Sequence, residues 1–250
     1  MLARLFILAP AIATMALAQD ALPSSPAAET ATQPVKPSVK RLDGTRYQIG
    51  EIIFDEKTRE IRFPAVVNMT EGLLEYLIVH KNGKVHESLL ATDISATHLN
   101  LAFTLLRYPR SRELYPLPNE TDGVSDKFPD VPQEIKAAAR VGIDVEWKDG
   151  EKVRRVPVNE WIQHEVKSTS MPSGPWVYGG SDFSNGKYAP ETTGDIASIF
   201  MSVASVINYP GVDYNNDDVW TPFPKRVPAQ GTPVTVIISP YQNASPIPKP

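Results

Sequence analysis

A five-residue stretch concentrates the side chains best suited to chemistry in this 250-residue chain. It runs Lys84, Val85, His86, Glu87 and Ser88, which places a cation, a base, a carboxylate and a hydroxyl close together. Because alternate side chains of a regular strand point to opposite faces, His86 and Ser88 would share a face that Glu87 does not. A compact His–Glu–Ser unit is therefore excluded, while a hydrolase-like His86–Ser88 pair stays open. The competing interpretation is that both are hydrogen-bonded polar residues without a catalytic role.

The histidines also raise the question of a metal site. His80, His86 and His98 could act with Glu87, since histidine is the usual nitrogen ligand where cysteine is absent. The zinc motif HExxH is missing, because His86 and Glu87 are followed by a serine and two leucines. His98 falls in the apolar arc of a predicted helix, where a hydrogen-bonded core histidine is the simpler interpretation. The sequence leaves metal binding open, and we predict no cofactor.

Three other features have weaker chemical interpretations. Ser181 follows two glycines but lacks the G-x-S-x-G pattern of a nucleophile elbow. The acidic run 213–218 begins like a calcium loop, but its sixth position is Asp218 and its twelfth is Pro224, so a solvated turn is expected. Four tryptophans could stack on sugars, although core packing is their default role; they are Trp147, Trp161, Trp176 and Trp220. The candidates for a binding patch are Lys84, Glu87, His98, Trp161 and Ser181.

Composition narrows the possible functions. The chain has no cysteine, which excludes disulfides, thiol chemistry and iron–sulfur clusters. Its formal net charge is −4 and no basic block stands out, so we expect no nucleic-acid partner. Hydrophobic residues make up 42% of the chain, as is ordinary for a globular protein with a sizeable core.

The sequence predicts that the two ends of the chain lie outside the folded domain. Residues 1–18 contain an apolar run and finish in Ala-Leu-Ala, which matches the small-residue pattern cut by signal peptidase. The run is shorter than the roughly 20 residues that span a bilayer, so no stable membrane span should remain after cleavage. Residues 19–42 are rich in Pro, Ala and Thr and predict a disordered tether, and 240–250 predict a Pro-rich tail. The expected location is periplasmic or secreted.

The elements that would position these side chains are mostly short strands. We predict an α+β fold: a β-rich single domain, residues 43–239, of short antiparallel strands and hairpins with one main helix at about 95–107. The helix would begin at Ser95 as N-cap, with Ile94 and Leu99 as a hydrophobic staple. The predicted strands and short helix cover 47–54, 60–69, 73–80, 84–90, 142–147, 152–156, 158–164 (helical), 176–179, 195–203 and 234–238.

One hairpin would carry the reactive stretch. Asn82-Gly83 favours a type I′ turn, because both central residues of that turn need positive φ. The turn would set His80 opposite Val85 and Leu77 opposite Ser88, in an antiparallel pair.

Several segments together resemble a known family. The run from Pro64 to Leu106, PAVVNMTEGLLEYLIVHKNGKVHESLLATDISATHLNLAFTLL, is similar to the YdjY-like domain of exported bacterial proteins. So are the later pieces 144–147, 157–162 and 176–181. The resemblance implies export and a single domain, and it supplies no established activity. It also implies that five residues belong to a shared pattern: Lys84, His86, Glu87, Ser88 and His98.

Two functions remain to be separated. We expect an exported non-catalytic binding or accessory domain, whose partner is an extracytoplasmic ligand or protein that the sequence does not identify. The alternative is a hydrolase-like enzyme that uses His86 with Ser88, or with a metal shared with His98. The enzyme needs His86 and His98 to converge on an open pocket, whereas the binding domain does not.

Overall fold

The structure is a computed structural model that describes residues 38–119, 125–184 and 186–241. The predicted signal peptide, most of the predicted tether and residues 242–250 of the tail lie outside the described residues. The first strand starts at Lys40 and the last ends at Pro240, so folded chain extends slightly into both predicted end segments. Within the described ranges, no helix is long and apolar enough to cross a membrane.

Short strands make up most of the regular structure. They are β1 (Lys40–Arg41), β2 (Arg46–Ile49), β3 (Ile52–Asp55), β4 (Ile61–Val67), β5 (Tyr76–His80), β6 (Ser88–Thr92), β7 (Arg140–Asp149), β8 (Lys152–Pro157), β9 (Ile162–His164), β10 (Thr169–Ser170), β11 (Trp176–Tyr178), β12 (Phe183–Ser184), β13 (Lys187–Tyr188), β14 (Asp195–Ser198), β15 (Ile207–Asn208), β16 (Trp220–Pro222) and β17 (Pro233–Pro240). The helices are α1 (Ala96–Leu105), α2 (Gln133–Ala138) and α3 (Ala189–Thr193), with 3₁₀ turns at Val85–Glu87 and Val158–Trp161.

Eight of the strands close into a barrel. Their order is β4, β17, β7, β11, β15, β14, β5, β6 and back to β4. Strands β1 to β3 extend the sheet beyond β4, and β8 pairs with β7. The predicted β-rich α+β domain with one main helix is confirmed at this level. The prediction of antiparallel strands alone is wrong, because β14–β15 and β5–β6 are parallel pairs.

The hairpin predicted around Asn82-Gly83 does not form. Strands β5 and β6 run parallel, with Tyr76 opposite Ser88 and Ile78 opposite Leu90. Neither turn residue has the positive φ that a type I′ turn requires. The chain instead passes through the 3₁₀ turn Val85–Glu87 before β6 begins.

A second strand prediction is corrected at Gly50. Residues 47–54 were expected to form one strand, but the chain reverses at Gly50, whose φ is +55°. The result is the β2–β3 hairpin with Ile49 opposite Ile52. Glycine adopts this left-handed conformation without a Cβ clash. The predicted hairpin at Asp149-Gly150 is confirmed, with Asp149 opposite Lys152.

Helix α1 forms at the predicted position. The Ser95 hydroxyl accepts a hydrogen bond from the His98 N–H at 3.2 Å, as an N-cap should. The helix ends at Leu105, and Arg107 turns into the left-handed region at φ +58°. Phe103 fastens the helix to the barrel by stacking on Tyr178 of β11, with ring centroids 4.1 Å apart.

Candidate functional site

The structure does not bring His86 and Ser88 together. His86 lies in the 3₁₀ turn with 74% of its side chain exposed, and its Nε2 is 3.3 Å from Glu87 Oε1. Ser88 is fully buried, and its hydroxyl donates to the Leu90 carbonyl at 2.8 Å. One side chain is in solvent and the other in the interior, so the expected pair on a common face is absent.

His98 and His80 have different neighbours. His98 is half-buried on α1, and its Nδ1 would be 2.9 Å from a Cβ placed on Gly50. The Nδ1 of His80 accepts the Asn82 N–H at 3.2 Å. Among the residues that the structure describes, no three His, Asp or Glu side chains group together as a metal site would need.

Lys84 contacts Tyr76, a residue of β5. Its ammonium donates to the Tyr76 hydroxyl at 2.5 Å and lies 4.8 Å from the centre of that ring. This hydrogen bond raises the pKa of the Lys84 ammonium, so the amine is protonated at neutral pH. A protonated amine is not a nucleophile. Burial and the nearby Glu87 carboxylate together raise the pKa of Glu75, which places both of these acids in the same polar cluster.

A buried acid lies beside this cluster. Asp195 of β14 is only 3% exposed, and burial raises its pKa, while the Lys84 charge acts in the opposite direction. Its Oδ2 accepts from the Ser202 hydroxyl at 3.3 Å, and its buried Oδ1 has no hydrogen-bond partner in the described part of the chain. Sequence analysis missed Tyr76 and Asp195, because nothing in their local pattern marks them as polar neighbours of Lys84.

Trp161 and Ser181, two further candidates for a binding patch, are both buried. Trp161 is 1% exposed and makes an edge contact with Trp147, with centroids 5.0 Å apart. Ser181 is fully buried, and its hydroxyl donates to the Val203 carbonyl at 2.9 Å. Both side chains are therefore buried, although Trp161 is also among the residues that line the cleft described next.

Trp147 is the half-buried tryptophan, and it forms a wall of an open cleft. The cleft has a volume of about 650 Å³ and lies between the β7–β8 hairpin and segment 225–232. Charged side chains surround it: Lys148, Asp149, Arg154, Glu160, Lys225 and Arg226. Four cations against two acids give a local charge of +2, in a chain whose net charge is −4.

The four cationic side chains of the cleft differ in whether they already have an ion-pair or hydrogen-bond partner. Arg154 pairs with Asp149 at 2.5 Å, and Arg226 donates to the Ser170 hydroxyl at 2.7 Å. Lys148 and Lys225 form no ion pair with any residue in the described ranges. These two ammonium groups are therefore the ones free to meet a ligand.

The cleft shares lining residues with a second cleft, and the second shares residues with a third. A second cleft of about 520 Å³ shares Trp147, Lys148 and Thr232 with the first. A third of about 390 Å³ shares Pro64 and Pro233 with the second. We call the three together the groove; it crosses β8, β7, β17, β4 and β6.

Comparison with known proteins agrees with the family resemblance. The family model of the YdjY domain matches residues 52–239, about three quarters of the chain. No curated protein and no solved structure matches the chain.

Proposed function

This chain belongs to the YdjY domain family, and we propose that it acts as an exported, non-catalytic binding domain that holds an extended ligand in the groove. The shape of the groove carries the proposal. Three clefts that share lining residues fit a chain-like ligand better than a single small molecule. Half-buried Trp147, where two of the clefts meet, would be its main contact.

Binding without catalysis is supported by the condition of the residues that could react. The Ser88 hydroxyl is buried and committed to the Leu90 carbonyl. The Lys84 amine is kept protonated by Tyr76. The hydrolase-like alternative has less support, because His86 meets neither Ser88 nor His98 in a common pocket.

The proposed location follows from the N-terminal sequence. The apolar run that ends in Ala-Leu-Ala, before the Pro-rich segment, is typical of a cleaved secretion signal. We therefore place the domain in the periplasm or outside the cell, at the end of a tether.

The tryptophan indoles provide the test. Each of the four gives its own N–H signal in a ¹H–¹⁵N spectrum, and three of them, Trp161, Trp176 and Trp220, are at most 2% exposed. We would titrate the protein with three extended probes: oligogalacturonate, a cello-oligosaccharide and a polyproline peptide. At least one should shift the Trp147 signal well beyond the other three.

Two outcomes would contradict the proposed function. If the probes shift only the signals of residues outside the groove, the groove is not the binding site. Shortening of a bound probe with time, followed by mass spectrometry, would show turnover and reject the non-catalytic role.

A further inference from the structure

Building on the proposed function, we infer that the ligand of the groove is a carboxylate-bearing polysaccharide, with a sugar ring on Trp147 and carboxylates at Lys148 and Lys225. The inference rests on three properties of the groove: its aromatic wall, its free cations and the pairing of the strands beneath it.

The aromatic wall packs against a second, buried tryptophan. Trp161 is 1% exposed and contacts the Trp147 ring edge-on, at 5.0 Å and an interplanar angle of 67°. Trp147 therefore presents its remaining surface with little rotamer entropy left to lose on binding. A flat, fixed indole suits the apolar C–H face of a sugar ring, while the sugar hydroxyls remain hydrated.

The free cations select the charge of the ligand. Arg154 is held by Asp149, and the Arg226 guanidinium lies 3.9 Å over the Phe223 ring. Lys148 and Lys225 are exposed and lack an ion pair among the described residues. An ammonium on a flexible stem is a point charge that can follow carboxylates spaced along a polymer.

Strand pairing argues for a glycan over a peptide. The floor of the groove is built by β4, β17 and β7, and the central residues of β17, 235–238, are paired on both sides. An extended peptide that binds by strand addition needs free backbone groups at a strand edge, and this floor offers side chains instead. Exposed apolar side chains, Val66 and Val153 among them, continue the contact surface along the groove.

The experiment compares four probes of equal length by calorimetry on the purified protein. They are oligogalacturonate, its neutral methyl ester, a cello-oligosaccharide and oligoglutamate. Oligogalacturonate should bind at least tenfold more tightly than the other three, and its affinity should fall as salt is raised. If the methyl ester binds equally well, the groove does not select carboxylates. If oligoglutamate binds equally well, the groove does not require a sugar ring.

Variants locate the two contacts. The double variant Lys148→Gln/Lys225→Gln should lower oligogalacturonate affinity about tenfold, because two partly solvated ion pairs are lost. Lys57→Gln/Lys127→Gln removes the same charge from exposed lysines outside the groove and should change little. Trp147→Ala should also weaken binding, and Trp147→Phe should retain part of it, with thermal melts confirming that each variant is folded.

Failure of the inference differs from failure of the proposed function. If oligogalacturonate does not bind, or binds equally well to the lysine double variant, the carboxylate class is overturned. A cello-oligosaccharide or peptide that still shifts the Trp147 indole signal would then leave the groove as a binding site.

Discussion

The backbones of Gly83 and Gly194 lie against each other. A Cβ added to Gly194 would stand 2.9 Å from the Gly83 Cα, and one added to Gly83 would stand 3.0 Å from the Thr193 carbonyl oxygen. The contact joins the chain that follows β5 to the start of β14. Gly194 also has φ +83°, a conformation that other residues rarely adopt.

Gly194→Ala should therefore destabilise the fold strongly. The left-handed backbone costs about 1–2 kcal/mol, and displacing the opposing backbone costs about 1–3 kcal/mol more. Gly150→Ala is the matched control, since Gly150 has φ +63° but nothing within 4 Å of an added Cβ. Urea denaturation should show a clearly smaller loss for the control; equal losses would mean that the Gly83 contact is not tight.

Gly83 shows which parts of the fold could be predicted from the sequence and which could not. Local signals were sufficient for α1 and for the β7–β8 hairpin, where capping and turn residues act within a few positions. They failed at Asn82-Gly83, because the role of Gly83 is a contact with a residue more than a hundred positions away. Parallel neighbours usually need a crossover of a dozen or more residues, but only residues 81–87 separate β5 from β6. A hairpin was therefore the locally favoured prediction.

Ser88 and His86 should respond very differently to truncation. Ser88→Ala removes a buried hydrogen bond to the Leu90 carbonyl and should cost about 1 kcal/mol of unfolding free energy. His86→Ala alters a side chain that is 74% exposed and should stay within about 0.5 kcal/mol. Chemical denaturation measures both. A larger loss for His86→Ala, or the loss of a bound metal from that variant, would restore the case for a histidine site.

The candidate site was predictable only in part. Lys84 and Glu87 were identified from the sequence, and the structure places both in one polar cluster. Tyr76 and Asp195, which interact with Lys84, come from β5 and β14, and the antiparallel pairing of these two strands brings them side by side. Trp147 could not be distinguished from the other tryptophans, because its exposure depends on the cleft that separates it from segment 225–232, which is distant in sequence.

Asp195 should make stability depend on pH. Burial raises its pKa, so the folded state keeps the proton to higher pH than the unfolded chain, whose value is near 3.8. Stability should therefore fall as pH rises from about 3.8 through the raised pKa, because the folded state binds more protons in that window. Asp195→Asn lacks this titration.

The corresponding measurement is urea denaturation of both proteins at several pH values. The unfolding free energy of Asp195→Asn, relative to the wild type, should increase between pH values of about 3.5 and about 7. The control is Asp43→Asn: Arg46 holds the Asp43 pKa down at about 2, so the effect of this variant changes below a pH of about 4 and should stay nearly constant over the rest of the window. If the difference in unfolding free energy between Asp195→Asn and the wild type does not vary with pH, the pKa of Asp195 is not raised in the folded state.

Export predicts a defined new N-terminus. If signal peptidase cuts after Ala18, the mature protein begins at Gln19. Ala16→Leu/Ala18→Leu should block cleavage, because bulky residues do not fit the small-residue pattern. N-terminal sequencing of the protein from a periplasmic or culture fraction provides the test. An intact chain in the cytosol would reject the exported location.

The Lys84 amine should react slowly with acylating reagents, although the residue is exposed. Its hydrogen bond to the Tyr76 hydroxyl raises the pKa of the ammonium, so at mildly alkaline pH less of it is in the free-amine form that acylating reagents attack. Peptide mass spectrometry after brief acylation should show less labelling at Lys84 than at Lys57, which is also exposed. Tyr76→Phe removes the acceptor and should increase labelling at Lys84 alone. If Lys84 were instead the fastest lysine to react, its pKa would be lowered rather than raised, and a catalytic amine would have to be considered.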